Sequence, residues 1–459
     1  MRLEVPRDME RFGANLFYGV QKVFELDAGL SCDVDTADQG VIKQLTYEHL
    51  HSIEQDMVIV VPMKGEQLKL LQGVLYGIPS QCLIIIVSNS SRDPVDRFSI
   101  EQEAIKNFCD YTGKKIMLVH QKDEQFATAL ARAGYPELLG DDGRVRNGKA
   151  EGMIMGTLLA RLTGRKYLGF IDADNYFPGA VLEYVRIYSA GFALSKSDHA
   201  MVRIAWHSKP KIVDDKLFFA KFGRTSVVTN RYMNQLLSHY TGFETDVIRT
   251  GNAGEHAMTT ELAESMVYSS GYSVEPYHLL YLMEKFGGVA EKLTRDNVQH
   301  PVEVFQIESR NPHLHAEKGT EHVNQMIYAA LQVIYHSEVS SESLKADILA
   351  DLRQRGLLDA QADLPKTTYY PALSKVNLTS FVNDVADNAY SAFFEPHGMV
   401  RQTDTLDYVP AKPTYPTRTV VQHASPQPSA SQDRLATEPL QAGPTDVSPA
   451  GPMAALPAD

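Results

Sequence analysis

Four short apolar runs constrain this chain more than any other feature. They are Met57-Val-Ile-Val-Val-Pro62, Cys82-Leu-Ile-Ile-Ile-Val-Ser88, Lys115-Ile-Met-Leu-Val-His120 and Tyr167-Leu-Gly-Phe-Ile171. None alternates apolar with polar residues, so none offers a solvent face. Strands apolar on both faces belong in a parallel sheet covered by helices on either side. The intervening segments supply those helices, with apolar spacing over Lys64 to Leu75, Ile100 to Tyr111 and Glu151 to Thr163. In such sheets ligands gather at the carboxyl ends of the strands, which here carry Pro62, Ser88, His120 and Asp172.

The fourth run ends in two acids, Asp172-Ala-Asp174, followed by Asn175. Carboxylates at i and i+2 of an extended segment point to one side, making a hard oxygen site suited to a divalent cation that also holds a diphosphate. Taken alone, the same acids read as solvated turn residues. A basic loop just upstream, Arg144-Val-Arg-Asn-Gly-Lys-Ala-Glu-Gly152, tips the balance. Glycines, fixed positive charge and a helix start together form an anion cradle, although the phosphate-loop pattern Gly-x-x-x-x-Gly-Lys-Ser/Thr is absent. A second basic group follows at Arg203, His207, Lys209 and Lys211, ahead of Phe222-Gly-Arg-Thr-Ser226. Arg224 there is suited to a second phosphate, while Lys209 and Lys211 read equally as the solvated face of a surface hairpin. Thr250-Gly-Asn-Ala-Gly-Glu-His-Ala257 reads as a glycine turn opening a helix over Ala257 to Ser269, with Glu255 and His256 in its first turn. In Glu308 to His315, His313 and His315 have a spacing that puts both on one side of an extended segment, as metal ligands or as ordinary surface histidines.

Beyond Pro178 the pattern is mixed: a strand over Met201 to Trp206, and helices over Asn230 to Tyr240, Glu321 to His336, Ser341 to Arg355 and Asn377 to Phe394. From about Thr403 the chain is rich in Pro, Ala, Ser and Thr with few large apolar residues, a composition that cannot build a core. The expected organisation is one catalytic domain over 1–400 and a disordered tail over 401–459. Within the domain, the family resemblance set out below implies a nucleotide-binding half over about 50–180, an acceptor half over about 181–330 and a helical part over about 331–400. Three scattered cysteines argue against a disulfide framework and fit a reducing cytosol. No apolar run approaches the roughly 18 residues needed to cross a bilayer. A net charge of −13 argues against nucleic-acid or anionic-membrane partners, so an anionic substrate must be met by local basic residues.

Taken in order, Val61-Pro-Met-Lys, Val87-Ser-Asn-Ser, Val119-His-Gln-Lys-Asp, Val145-Arg-Asn-Gly-Lys-Ala-Glu-Gly-Met, Phe170-Ile-Asp-Ala-Asp-Asn-Tyr, Thr250-Gly-Asn-Ala-Gly-Glu-His-Ala and Arg310-Asn-Pro-His resemble the mannosyl-3-phosphoglycerate synthases. The resemblance runs from about Phe12 to about Phe394. It implies an α/β GT-A glycosyltransferase fold (Rossmann-like, a mostly parallel sheet flanked by helices) and a cytoplasmic enzyme of compatible-solute (mannosylglycerate) synthesis. It implies GDP-mannose as donor, 3-phosphoglycerate as acceptor through its 2-hydroxyl, retention of configuration, and a divalent cation, Mg2+ first, with Mn2+ or Co2+ as alternatives. A homodimer is compatible with it. Carried over by position, Pro62, Glu66 and Ser88 would line the nucleoside and Lys149 would meet the diphosphate. Asp172 and Ala173 would face the donor, with Asp174 and His313 (or His315) on the metal. Glu255 would hold sugar hydroxyls. Gly223, Arg224 and Ser226, with Arg146 and Asn147, would receive the acceptor. The family's Gly-Lys-Gly-Glu here reads Gly148-Lys-Ala-Glu151. Alternatives are a glucosyl-3-phosphoglycerate synthase, a sugar-phosphate nucleotidyltransferase and a non-catalytic nucleotide-sugar sensor. The nucleotidyltransferase would need a glycine-rich triphosphate loop, and Met63-Lys-Gly-Glu66 is a poor one.

Overall fold

Branched side chains buried on both faces place the four apolar runs at the middle of a sheet, and every other element is arranged around them. The computed structural model describes residues 1–26, 42–175, 177–289, 292–315, 319–387, 392–395 and 398–400. All lie in the unit Met1–Pro410. The tail expected over 401–459, and Cys32, lie outside the described residues.

In chain order, five short strands come first: β1 (Arg2–Glu4), β2 (Met9–Phe12), β3 (Asn15–Tyr18), β4 (Gln21–Glu25) and β5 (Ile42–Gln44). Helix α1 (Tyr47–Gln55) precedes β6 (Met57–Met63), α2 (Leu68–Gly77), β7 (Leu83–Ser88), α3 (Arg97–Thr112) and β8 (Ile116–His120). Then follow α4 (Glu124–Arg132), α5 (Lys149–Leu162), β9 (Tyr167–Phe170) and α6 (Pro178–Leu194). The second half opens with β10 (Ala200–Ala205), the hairpin β11 (Lys209–Val213) and β12 (Lys216–Ala220), α7 (Arg224–Thr241), β13 (His256–Thr259) and α8 (Thr260–Ser265). It continues through β14 (Tyr268–Ser269), α9 (Val274–Phe286), α10 (Arg295–Gln299), β15 (Val302–Glu308), α11 (Thr320–His336) and α12 (Glu342–Gln354).

The core of the sheet runs in the order β8-β7-β6-β9-β13-β10-β15. Strands β6, β7, β8 and β9 pair parallel with one another, as do β10 and β15. Apolar clusters fill both faces, Val58, Val60, Ile85 and Val87 on one and Ile59, Val61, Ile84 and Ile86 on the other. This two-faced burial is why the runs show no alternation.

Strand β13 is the informative exception. It lies antiparallel between β9 and β10, with His256 opposite both Phe170 and Arg203. Its reversed direction brings its first residues to the edge where β9 and β10 end. The helix expected over Ala257 to Ser269 is therefore corrected: Ala257 to Thr259 belong to a strand, α8 is a short helix, and Glu255 precedes β13 instead of opening a helix. All four β13 residues are buried. Filling the gap between two strands outweighs a modest helix preference in Ala and Met. The helix expected over Asn377 to Phe394 is also shorter, ending at Asp387 with residues 392–395 in a strand beside β8. Among the described residues, no helix is long and apolar enough to cross a membrane.

Candidate active site

One edge of the sheet collects the ends of β6, β7, β9, β10 and β15 and the start of β13. At its centre stands Lys149, the first residue of α5. Its Nζ lies 2.7 Å from Asp172 Oδ1 and 2.8 Å from Glu275 Oε1. Burial disfavours the ammonium, but these two carboxylates outweigh it and hold the lysine well above its ordinary pKa. The approach depends on two glycines. At Gly148, φ is +153° and a Cβ would collide with the Glu151 carboxylate. A Cβ on Gly254 would stand 2.7 Å from Asp172 Oδ2 and 3.2 Å from Lys149 Nζ, so the Thr250 to Glu255 turn can press against the pair only with glycine there.

Arg203 fixes that turn from beneath. Its fully buried guanidinium donates to the carbonyls of Thr250 (2.7 Å from Nη2) and Glu275 (3.1 Å). The loop before α5 is tied by Gln121 Nε2, which donates to the carbonyls of Arg146 (2.7 Å) and Gly148 (3.2 Å).

Glu255 is fully buried beside Asp172. Asn175 Nδ2 donates to its Oε1 at 3.0 Å and Trp206 Nε1 to its Oε2 at 3.1 Å. Burial first, and then the Asp172 charge, push its carboxyl up to about 7. Asn175 also donates to the Asp172 carbonyl at 2.9 Å, which fixes the turn after β9. Trp206, the one tryptophan of the chain, stacks on His313 with centroids 4.3 Å apart and carries Lys209 Nζ 4.0 Å from its own centroid.

Burial, with Lys209, His315 and Lys149 as neighbouring positive groups, keeps His313 neutral, well below its ordinary pKa. Its Nδ1 lies 3.3 Å from the Tyr184 hydroxyl. The segment carrying it is clamped by Glu183 of α6, whose carboxylate accepts from the backbone amides of Arg310 (2.5 Å) and Asn311 (2.9 Å) and from Asn311 Nδ2 (2.7 Å). Lys209 sits among Glu255, Asp172 and Asp174, and burial lowers its pKa to about 8. Asp174 and His313 thus both border the space that Lys209 enters. A neutral imidazole and a carboxylate are a donor pair that fits a divalent cation. Among the described residues no three His, Cys, Asp or Glu side chains form a ready metal cage.

The sequence-derived candidates divide in space. Lys149, Asp172, Glu255 and Asp174 share the centre, with Ala173 buried between the acids. Pro62 is half-buried at the end of β6, and Glu66 Oε2 accepts from the Lys64 amide at 2.5 Å. Ser88 is fully buried with its hydroxyl turned onto Glu101 at 2.7 Å. Arg224, opening α7, lines a cavity of about 490 Å³ with Lys211 and Arg355. Arg146 and Asn147 line a different opening, of about 360 Å³, with Lys122 and Ser270. The proposed acceptor residues therefore fall in two places.

Sequence reasoning missed Glu275, Trp206 and Glu183. A lone tryptophan following a strand end was a usable signal for Trp206. Glu275 and Glu183 had none, because each acts on a segment far away in the sequence, 127 residues in the case of Glu183 and Arg310.

A mostly parallel sheet delivers a lysine–carboxylate cluster and a second acid to its carboxyl edge, and the family that the chain matches makes it a glycosyltransferase. The chain belongs to the mannosyl-3-phosphoglycerate synthase family, whose model matches residues 5–385. It is 44% identical to the mannosyl-3-phosphoglycerate synthase of Pyrococcus furiosus over 394 residues, covering 85% of this chain and 98% of the relative. The Aeropyrum pernix synthase is 37% identical over 400 residues, covering 85% and 100%. Among solved structures, glucosyl-3-phosphoglycerate synthase from Mycobacterium tuberculosis, in complex with Mn2+, uridine diphosphate and phosphoglyceric acid, aligns with a TM-score of 0.42 at 17% identity. That alignment covers 71% of this chain and 94% of the other.

Proposed function

We propose that this enzyme transfers mannose from GDP-mannose to the 2-hydroxyl of 3-phosphoglycerate with retention, releasing GDP. Family membership over most of the chain supports the substrates. The Lys149–Asp172–Glu275 cluster carries the chemistry. An ammonium has three N–H donors, and two carboxylates engage two of them. The third serves a diphosphate oxygen, where it stabilises charge as the donor's anomeric bond breaks. Asp174 and His313 would hold the divalent cation, Mg2+ in the first instance, which supplies Lewis-acid stabilisation of the departing diphosphate. Asp172 faces the donor, and Glu255, buried behind it, secures that wall through Asn175 and Trp206 instead of holding the sugar's hydroxyls itself. Pro62 and Glu66 border the nucleoside.

Neither Asp172 nor Glu255 suits the part of nucleophile. The first is ion-paired, and the second is fully buried with a hydrogen bond on each oxygen. Retention then follows from attack on the face that the diphosphate leaves, with that leaving group taking the acceptor's proton. The buried free thiols of Cys82 and Cys109 fit a cytosolic enzyme.

The test incubates purified protein with Mg2+, GDP-mannose and 3-phosphoglycerate and follows GDP release, with the product's anomeric configuration read by NMR. Acceptor-dependent release and an α-linked product are expected. If neither GDP-mannose nor UDP- or GDP-glucose gives acceptor-dependent release with Mg2+, Mn2+ or Co2+, the reading fails.

A further inference from the structure

Residues 247–254 run into β13 without belonging to a helix or a strand, and all but Arg249 are buried. Buried backbone outside regular structure must have its N–H and C=O groups met by side chains. Three side-chain amides do much of this. Gln306 of β15 donates from Nε2 to the Val247 carbonyl (2.8 Å) and accepts at Oε1 from the Arg249 amide (2.8 Å). Asn234 of α7 brackets Ile248, accepting from its N–H at 2.8 Å and donating to its carbonyl at 2.9 Å. Asn230, one turn earlier, donates to the Arg249 carbonyl (2.9 Å) and accepts from the Gly251 amide (2.8 Å). A Cβ on Gly251 would stand 2.8 Å from Asn230 Oδ1, so that bracket needs a glycine.

Arg203 Nη2 takes the next two carbonyls, Thr250 (2.7 Å) and Gly251 (3.4 Å). His256 closes the run, with Nδ1 3.0 Å from the carbonyls of both Ala253 and Gly254. Only an N–H can face two carbonyl oxygens, so Nδ1 carries the proton and donates. The other side of this segment is the wall behind the catalytic lysine. The place of a Cβ on Gly254 lies 2.7 Å from Asp172 Oδ2 and 3.2 Å from Lys149 Nζ. A shift of the segment toward Asp172 meets its carboxylate, and a shift away uncovers it.

Resting on the transfer reading above, we infer that Gln306, Asn230 and His256 are positioning residues, which set the depth at which Gly254 stands behind the Lys149–Asp172 pair and so fix that pair against the donor.

Their chemistry suits that part. Gln306 and His256 are fully buried and Asn230 nearly so, and the two amides carry no charge. Burial also keeps His256 neutral, well below its ordinary pKa. The three therefore act on Lys149 through geometry and not through an electric field. They come from β15, α7 and β13, so the wall is referenced to both the sheet and the helix packed on it. A misplacement of about 1 Å at a reacting centre costs up to about a hundredfold in rate.

The test compares His256→Leu with His256→Asn, whose amide nitrogen takes the place of Nδ1, and adds Gln306→Met, all in the full chain. Turnover is measured at saturating GDP-mannose and 3-phosphoglycerate, and affinity for GDP with Mn2+ by calorimetry. His256→Leu and Gln306→Met should lose about ten- to a hundredfold in kcat while GDP–Mn2+ affinity stays within about twofold. His256→Asn should stay within about threefold of wild type in both. Wild-type kcat in His256→Leu and Gln306→Met overturns the inference. So does GDP–Mn2+ affinity that falls in step with kcat, or His256→Asn as slow as His256→Leu. Thr250→Val removes only the hydroxyl that donates to Gln306 Oε1 at 2.8 Å, and it replaces any variant that does not fold. It should lower kcat about three- to tenfold, and wild-type kcat there counts against the inference equally.

A readout without turnover separates this from the transfer reading. Lys149 should be acylated by an N-hydroxysuccinimide ester about tenfold faster in His256→Leu than in wild type or His256→Asn, as read by peptide mass spectrometry, because the wall no longer holds it against its carboxylates. If the wild type transfers sugar, kcat decides. If it transfers none, the transferase reading falls and labelling decides: that order of rates upholds the positioning residues, and equal rates overturn them as well.

Discussion

Lys149 shows how much of this site is electrostatic. Replacing it with Met removes the ammonium between Glu275, only 5% exposed, and Asp172, and leaves the two carboxylates facing each other. Breaking such a pair costs about 3 kcal/mol. Lys149→Met should accordingly lower the melting temperature clearly in calorimetry and cut turnover at least a hundredfold, as losing one charge stabiliser does elsewhere; near-wild-type turnover would remove Lys149 from the diphosphate. Glu255 makes the opposite kind of prediction. Its carboxyl is raised from 4.5 to about 7, so the folded state holds the proton more tightly than the unfolded chain does. The stability it contributes is full below about pH 4.5 and is lost as pH rises through about 7, to a total of about 3 kcal/mol. Glu255→Gln does not titrate. In metal-free protein, its melting temperature relative to wild type should therefore rise between pH 5 and pH 8, and a pH-independent difference would contradict the assignment.

At the scale of elements, the clamp between α6 and the segment after β15 is the part most open to test. Glu183 uses both carboxylate oxygens to hold Arg310 and Asn311, and so sets where His313 stands. Glu183→Ala should weaken Mn2+ binding in the presence of GDP ten- to a hundredfold, the usual penalty for losing a group that orients a metal ligand. Titration followed by electron paramagnetic resonance would read it. Elements also explain what could and could not be seen in the sequence. The strands β6 to β9 and the acids at Asp172 and Asp174 were legible because burial on both faces and a strand-end pair of carboxylates leave a local pattern. Strand β13 was not, since its identity comes from two partners distant in sequence, β9 and β10. Glu275 and Glu183 are hidden for the same reason.

For the whole molecule, the convergence of six chain segments on one edge makes ligand binding a stabiliser of the fold around the sheet. Mg2+ or Mn2+ with GDP should raise the melting temperature together far more than either does alone, because under the proposed function the diphosphate would complete a coordination that Asp174 and His313 would begin. At a hundredfold excess over the dissociation constant, the gain is about 2.7 kcal/mol. Asp174→Asn should abolish the metal-dependent part of the shift, and a shift unchanged by that substitution would place the cation elsewhere. Trp206 offers a way to watch this. It is the one tryptophan in the chain, it donates to Glu255, stacks on His313 and lies under Lys209. All indole emission from this protein therefore originates at the site itself, and a protonated imidazole or a bound metal beside the ring would quench it. The native chain is its own optical probe, reporting occupancy in real time without a label.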